Sequence, residues 1–400
     1  MIIAYIIYDT PSLLACSLTS RSWYIAAVPH LHRTLTIRTS KYHYNSNKKI
    51  DWPEPLRMAA KFGWLPFFTR LVIFDGSYFD SFSQKYFKDF HHRTQRAFSA
   101  LTNVRELSID CLDIPSFIPE IRQYFGQFSP TVRSLTLKRP IGFDRQIVFF
   151  IGLFPHLEDL EFERGRSRNG SADDPTLIPS FTPSLRGRLT ATGLDGELAK
   201  TMIDLFGGVR FRHVTLFSSG GTQRLLYACA NTLETLKLDA VDLCGEKNLL
   251  RKTRVPVNDF TGSYSHRDLD LSRNMSLRKL EITAKSLIRV LSERAPATIP
   301  SSFRAMFSTV KSHAFSDFVV IYGEGDFYND VYSKDARIDE GTWYHRQFEV
   351  FREMRKARDF RLVLQACYVG DESVRELKRA VAAERAKGLP MELSMPYTLA

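Results

Sequence analysis

The sequence predicts an α/β solenoid in which short parallel strands alternate with helical stretches. The main observation is a recurring pattern of two apolar residues three positions apart with a third two positions further on, as in Val104, Leu107 and Ile109. Eight copies follow one another along the 400 residues, each followed by a helical stretch. The copies are Phe68–Ile73, Val104–Ile109, Val132–Leu137, Leu157–Phe162, Phe211–Leu216, Leu233–Leu238, Leu277–Ile282 and Ala357–Leu362.

The second observation is the spacing of the copies. The middle residues Leu107, Leu135 and Leu160 are 28 and 25 residues apart, within the roughly 20–29 residues of a leucine-rich repeat. Some intervals are longer, and an imperfect unit at Leu185–Ala191 fills one of them. Another long interval holds either a masked unit or an insertion. We favour an insertion, because residues 247–266 are charged and polar with little apolar periodicity.

The third observation is alternation within each copy. The last two apolar residues alternate inward, so the residues between and beside them must point outward from the strands. Stacked neighbours would supply the core and present a long concave surface suited to binding, whereas the alternative is an ordinary α/β domain. The residues predicted to face a target are Glu106, Ser108, Asp110, Ser134, Thr136, Lys138, Asp159, Glu161, Glu163, His213, Thr215, Phe217, Thr235, Lys237, Asp239, Lys279, Glu281, Thr283, Asp359 and Arg361.

Composition indicates a soluble, folded chain, with 44% hydrophobic and 25% charged residues. Five widely spaced cysteines without a CxxC pair favour a reducing compartment, cytoplasmic or nuclear, and argue against a disulfide framework or zinc module. The apolar start Met1–Ile7 lacks a basic region and is soon interrupted by Asp9 and Pro11. We therefore expect neither a secretory signal nor a membrane anchor, and regard the sequons at Asn169 and Asn274 as chance matches.

The formal net charge of +11 is compatible with nucleic acid or with an acidic protein partner. The basic residues are dispersed, although Tyr42, Tyr44 and Trp52 are interleaved with lysines as in some single-stranded nucleic-acid binders. No RNP, KH or zinc-finger signature is present. We expect no specific nucleic-acid ligand, and a basic RNA-binding protein is the less favoured alternative.

The sequence gives little support for an enzyme. It contains no GxSxG elbow, HExxH helix, P-loop or GxGxxG turn. The adjacent His91 and His92 cannot both face one metal ion on a helix, and Gly323–Asp326 lacks the later glycine of a phosphate-binding loop. We therefore expect no catalytic residue, no cofactor and no metal site.

The first forty residues predict a small helical module. Thr10 and Ser12 flank Pro11, which is a favourable arrangement for the start of a helix. The apolar face that follows consists of Leu13, Leu14, Cys16, Leu18, Trp23 and Ile25.

This segment resembles the second half of an F-box as found in fungal F-box proteins. The resemblance rests on Ser12–Trp23, with its paired leucines and its basic-x-Trp ending, and on Leu31–Ile37. The chain opens at Met1 inside the first helix of the family pattern, which is therefore clipped. The rest of the chain resembles, more loosely, the degenerate leucine-rich repeats of such proteins.

The resemblance implies a substrate-recognition subunit of a cullin–RING ubiquitin ligase. The helices would bind a Skp-type adaptor, the repeat face would bind a protein target that the sequence does not identify, and catalysis would come from proximity. Alternatively, the same apolar residues cap the repeats and the chain is an adaptor-independent protein-binding scaffold. The residues predicted to bind the adaptor are Ile3, Ile6, Ile7, Leu13, Leu14 and Leu18.

The resulting domain prediction has five parts. An F-box-like module occupies residues 1–40, a linker with Pro53 and Pro55 residues 41–63, and the repeat domain residues 64–371, with a loop at 164–183. A helix at 372–388, with Val374, Leu377 and Val381 on one face, would cover the last sheet edge. Residues 389–400 are predicted to be a tail.

Overall fold

A computed structural model of the chain describes residues 9–38, 61, 65–75, 99–112, 114, 122–123, 125–163, 178–194, 196–217, 222–239, 269–283, 306–322, 348, 351–356, 358–367 and 371–397. The chain divides into two compact units. The first contains Met1–Leu185 and Thr201–Gly208, and the second contains Arg186–Lys200 and Val209–Ala400.

Among its described residues, the first unit has five parallel strands, each paired with the next in chain order. Two helices precede the first strand and pack against each other. The elements are α1 Thr10–Thr19, α2 Arg21–Leu31, β1 Thr34–Arg38, α3 Leu65–Phe68, β2 Leu71–Asp75, β3 Glu106–Asp110, a 3₁₀ turn at Gly126–Phe128, β4 Ser134–Lys138, α4 Asp144–Ile151 and β5 Asp159–Glu163.

The described part of the second unit has seven parallel strands, again paired in chain order. Helix α5, Gly196–Phe206, has residues in both units. The prediction of an α/β fold with sequential parallel strands is thus confirmed within each unit. The remaining elements are β6 Arg188–Thr192, β7 His213–Phe217, α6 Thr222–Ala228, β8 Thr235–Asp239, β9 Lys279–Thr283, β10 Asp317–Tyr322, β11 Arg361–Cys367, α7 Asp371–Ala386 and β12 Met391–Tyr397.

Most of the strands begin with the same pair of backbone hydrogen bonds. The carbonyl of the residue before one strand accepts two successive N–H groups at the start of the next, as when Arg70 O accepts from Arg105 N at 2.8 Å and Glu106 N at 3.0 Å. These bonds fix the register of neighbouring strands, which is why residues in equivalent positions form columns across the sheet. The same two bonds recur at the carbonyls of Arg33, Arg105, Arg133, Gly187, Arg212, Glu234 and Arg278.

A left-handed residue ends several strands. Cys111 after β3, Arg139 after β4 and Gly193 after β6 have φ angles of 55°, 48° and 69°. In each case the N–H bonds to the carbonyl of the last residue of the following strand, at 2.7–2.9 Å. This bond offsets the cost of about 1 kcal/mol or more that a non-glycine residue incurs in this conformation. The chain therefore leaves these three strands through the same backbone geometry, although the three residues differ.

The core of the first unit contains a row of phenylalanines. Phe125 contacts Phe74 of β2 and Phe150 of α4 edge to face, with ring centroids 5.3 Å apart in both pairs. Phe154 continues the row at 5.6 Å from Phe150. All four rings are buried. The rings come from different repeats of the series and from helix α4 beside them. The row therefore joins neighbouring repeats of the first unit into one core.

Two of the predicted repeat copies were placed in the wrong register. In β2 the buried residues are Val72 and Phe74, whereas Leu71 and Ile73 are half-buried. Val72 pairs with Leu107, so this copy begins one residue later than predicted. Leu71 was assigned to the buried face in place of Val72 because β2 is apolar on both faces. In the last copy Leu362, and not Phe360, is in register with Phe318.

Three strands were missed. β1 lies within the predicted helical module at residues 1–40. β10 fills the long interval before the last copy, and β12 pairs in parallel with β11 within the predicted tail. The predicted tail at 389–400 is therefore wrong for Met391–Tyr397, and α7 links two strands and does not cover the sheet edge. Leu389 and Met391 are buried. β10 is a continuous apolar run at Phe318–Ile321 and so lacks a period of two, and the alternation in β12 is confined to a few residues.

Two other predictions on chain organisation can be compared with the strands. β8 pairs directly with β9, which agrees with an insertion between them, although residues 247–266 lie outside the described part. The predicted boundary at residue 40 is not structural, because β1 pairs with β2 and places Leu35 and Ile37 in the core. Residues 41–60, 62 and 63 of the predicted linker and 164–177 of the predicted loop also lie outside the described part.

Candidate docking surfaces

The helix pair α1 and α2 is held by two caps. Asp9 is the N-cap of α1, where its carboxylate accepts hydrogen bonds from the backbone N–H and the hydroxyl of Ser12. The helix start predicted at Thr10 and Ser12 is thus one residue late. The capping residue is Asp9, and Ser12 donates hydrogen bonds to it. Ser20 caps α2 by accepting from Trp23 N at 3.3 Å. These caps satisfy N–H groups that a helix leaves without partners.

The apolar residues of these helices divide into buried and exposed sets. Leu13 is 1% exposed and belongs to the core, together with Ala27 and Val28. In contrast, Leu14 is 50% exposed and Leu18 is 86% exposed. These two leucines are four residues apart and therefore lie on one face of α1. Of the six predicted adaptor contacts, only these two are at the surface among the described residues. Ile3, Ile6 and Ile7 lie outside the described part.

Leu14 and Leu18 are two of four exposed large apolar residues on the helix pair. Helix α1 contains no charged residue, and the following helix α2 adds Ile25 at 61% and Tyr24 at 46% exposure. Single exposed apolar residues are normal, but several on one short helix pair indicate a place where another molecule binds. We call Leu14, Leu18, Tyr24 and Ile25 the apolar helix surface.

The outward strand positions of the first unit form a mainly acidic surface. Strands β3 and β4 alternate half-buried and buried residues, and β5 has the exposed Glu161 at its centre. Thr136 donates to Glu161 Oε2 at 3.3 Å, and Arg139 pairs with Asp110. The hydrogen bond that Arg139 donates to Asp110 raises the pKa of the Arg139 guanidinium. The outward residues are Glu106, Ser108, Asp110, Ser134, Thr136, Lys138, Asp159, Glu161 and Glu163.

The outward positions of the second unit are mixed in charge. Lys279 pairs with Glu281 at 2.6 Å. Arg361 pairs with Asp317 at 2.6 Å and with Glu392 at 3.3 Å. The outward residues predicted here include His213, which is exposed, and Thr215, Phe217, Thr235, Lys237, Lys279, Glu281 and Thr283, which are half-buried; nothing is described of the Asp239 side chain.

The alternation therefore correctly identified which strand residues point away from the core. Phe217 is half-buried and so presents less aromatic surface than we expected. Asp359 is largely exposed and pairs with Arg355 at 3.0 Å. Whether these residues bind a target stays a prediction.

One charged feature was missed by the sequence analysis. The position immediately before β1, β2, β3 and β4 is occupied each time by arginine, namely Arg33, Arg70, Arg105 and Arg133. The strand register stacks these residues into what we call the arginine column. The signal was present in the repeat copies, where arginine often follows the first apolar residue, but only the register shows that the four are neighbours.

A tightly bonded loop precedes β9. Gln223 of α6 bonds to both the N–H and the carbonyl of Asp270, at 2.7 and 2.9 Å. Hydrogen bonds from Ser272 and Tyr227 lower the pKa of the Asp270 carboxyl, with the Ser272 N–H bond the main cause. Asn274 is fully buried and donates to Leu226 O at 2.8 Å. The sequon at Asn274 is therefore inaccessible in the folded chain.

The described residues contain little that suggests covalent or metal chemistry. Within them, no three His, Cys, Asp or Glu side chains are grouped so as to hold a metal ion. Burial raises the pKa of the Cys229 thiol to about 12, so this cysteine is a poor nucleophile. None of the described helices combines the length and the apolar character needed to span a membrane.

Comparison with known proteins gives no identification. The chain matches no family model, no curated protein and no solved structure.

Proposed function

We propose that this chain is the substrate receptor of a cullin–RING ubiquitin ligase. In this proposal the apolar helix surface binds a Skp-type adaptor, and the outward positions of a leucine-rich-repeat-like strand series bind the protein to be modified. The observation that carries the proposal is the exposure of Leu14 and Leu18 on α1, a helix without charged residues in the pair that precedes the first strand. The resemblance of Ser12–Trp23 to an F-box agrees with it.

The exposed leucines are difficult to explain by folding alone. Leu13, Ala27 and Val28 already bury the inward side of the helix pair. Exposing Leu18 leaves roughly 1.5–3 kcal/mol of burial free energy unused. A partner that covers this face would recover part of that free energy, which is how apolar contacts stabilise most protein complexes.

The strand surface supports the second half of the proposal. Half-buried or exposed polar side chains recur at equivalent positions across neighbouring strands, which offers a target many separate contacts. Only a minority of such residues is expected to contribute substantially to binding. Without a catalytic group, the chain would act by holding its target near the ubiquitin-loaded enzyme of the ligase.

The test is co-purification of the full chain with a Skp-type adaptor. The variant Leu14→Asp/Leu18→Asp places two charges on the apolar helix surface and should abolish binding. Its matched control is Ile178→Asp/Phe181→Asp, which changes two exposed apolar residues at the other end of the strand series of the same unit. Leu13 is unsuitable as a test because its substitution would disturb the core.

Three outcomes are informative. Binding by the natural chain and the control, but not by the Leu14/Leu18 variant, supports the receptor. If the natural chain fails to bind the adaptor, the receptor proposal is replaced by the alternative of an adaptor-independent scaffold. Helices α1 and α2 then act as the cap that a repeat series needs. If all three proteins bind, adaptor binding does not use this surface and the proposal is wrong.

A further inference from the structure

The arginine column has a regular geometry. The carbonyls of Arg33, Arg70 and Arg105 each accept two N–H groups, one from the next arginine of the column and one from the residue after it, at 2.8–3.1 Å. Parallel neighbours lie about 4.8 Å apart, so the four backbone positions, ending at Arg133, span about 14 Å. Guanidinium groups attached at such intervals repel one another unless anions lie between them.

The described anions compensate only part of this charge. Glu106 pairs with Arg33 at 3.2 Å, and Glu158 pairs with Arg133 at 2.7 Å. Both arginine side chains remain about half exposed. Within the described ranges, Arg70 and Arg105 take part in no ion pair, and the side chain of Arg105 is exposed. The centre of the column thus carries positive charge that the fold leaves without a described carboxylate.

The column is specific to the first unit. In the second unit, the equivalent positions before β7, β8 and β9 are Arg212, Glu234 and Arg278, which alternate in sign. Arg212 and Glu234 approach to 4.0 Å. An alternating column neutralises itself, whereas four successive arginines do not. A uniform requirement of the repeat geometry for arginine therefore does not explain the first unit.

We propose that the arginine column binds an acidic peptide segment, with Arg70 and Arg105 as its central contacts. Guanidinium groups bind carboxylates through paired, charge-assisted hydrogen bonds. The two ends of the column already hold carboxylates, each through a single hydrogen bond, Arg33 to Glu106 at 3.2 Å and Arg133 to Glu158 at 2.7 Å. An extended segment of about five residues covers the span of the column at roughly 3.3 Å per residue.

A peptide fits this surface better than a nucleic acid. The neighbouring outward positions carry Glu106, Asp110, Asp159, Glu161 and Glu163, which would repel a continuous phosphate backbone lying across the sheet. Single-stranded nucleic acids also need aromatic side chains for base stacking. None is present at the outward positions of β1 to β5. A short acidic segment confined to the column avoids both difficulties.

The inference rests on the target-binding part of the proposed function, but not on adaptor binding. It is tested with the full chain alone, by fluorescence anisotropy of a labelled decaglutamate peptide at about 0.05 M and about 0.3 M salt. A decaglutamine peptide and a ten-nucleotide uridine strand serve as the other two probes. The variant is Arg70→Gln/Arg105→Gln, and the matched control Arg210→Gln/Arg224→Gln removes two exposed arginines of the second unit.

We expect decaglutamate to bind, decaglutamine not to bind, and the Arg70/Arg105 variant to lose roughly 2- to 30-fold in affinity while the control changes less than about twofold. Higher salt should weaken the natural complex. Equal losses in variant and control, no preference for decaglutamate over decaglutamine, or tighter binding of the uridine strand through the same arginines would each overturn the proposal. Adaptor co-purification of the Arg70/Arg105 variant should be normal, so a failure here is distinguishable from a failure of the receptor proposal.

Discussion

A buried ion triad in the second unit leads to an asymmetric prediction. Glu384 of α7 is fully buried and accepts hydrogen bonds from Arg352 and, at 2.8 Å, from Lys387. The side chains of Arg352 and Lys387 are 34% and 52% exposed. We predict that Arg352→Met destabilises the chain more than Glu384→Gln, although each removes one member of the same pair.

The magnitude follows from which charge is left behind. Removing one partner of a fully buried pair costs about 3–5 kcal/mol. Only Glu384 is fully buried here and Lys387 remains beside it, so we expect Arg352→Met to cost about 2 kcal/mol. In Glu384→Gln both cations can turn to water, and the amide oxygen can still accept a bond. We expect this change to cost about 1 kcal/mol.

The effect should depend on pH. Burial alone raises the pKa of Glu384, but the hydrogen bonds and charges of Lys387 and Arg352 outweigh it and hold the pKa below its ordinary value of 4.5. A carboxyl whose pKa is lower in the folded chain contributes stability above its unfolded pKa, and this contribution is lost as pH falls through the folded value. The difference between the natural chain and Arg352→Met should therefore shrink below about pH 4.

The assay is urea unfolding followed by circular dichroism at neutral pH and at about pH 3. Lys356→Met is the control, because Lys356 and Glu353 form an exposed pair that should contribute less than about 0.5 kcal/mol. The reasoning is refuted if Glu384→Gln costs as much as Arg352→Met at neutral pH, or if the cost of Arg352→Met is unchanged at the lower pH.

Three further predictions concern the helix pair, the cysteines and the last strand. Leu13→Ala should lower the free energy of unfolding by about 2–5 kcal/mol while Leu18→Ala changes it by less than about 0.5 kcal/mol, as urea titrations can measure; equal effects would contradict the assigned burial. Iodoacetamide should label half-buried Cys16 in the folded chain and leave Cys229 unlabelled by mass spectrometry, and rapid labelling of Cys229 would contradict its burial. Deleting residues 389–400 should expose the edge of β11 and cause aggregation visible by light scattering, whereas a dispensable tail would leave the chain monomeric.

Much of the strand series could be predicted from the sequence. Where polar residues separate the apolar ones, as in Leu107 and Ile109 or Leu135 and Leu137, the period of two defines both the strand and its buried face. The same signal identified the imperfect unit before β7, where Leu189 and Ala191 are buried. Where both faces are apolar, as in Leu71–Phe74, the period disappears and the register was predicted one residue early.

The candidate surfaces were only partly predictable. Paired leucines indicate an amphipathic helix, but the sequence cannot tell that Leu13 faces inward and Leu14 outward, since that depends on how the helix rotates against β1 and α2. The residues of the acidic strand surface were correctly predicted to point outward, because alternation alone decides which side of a strand a residue faces. The arginine column was missed because its members lie 28–37 residues apart along the chain.

The sequence by itself determined the class of this fold, the inward face of most strands and the absence of familiar catalytic motifs. These properties depend on local periodicity and residue type, which any short segment carries. Only the tertiary structure decided that Leu14 and Leu18 are exposed, that Met391–Tyr397 is a strand, and that four distant arginines are neighbours. The reason is that burial and proximity depend on the pairing of segments, and the hydrogen bonds that fix this pairing join residues far apart in the chain.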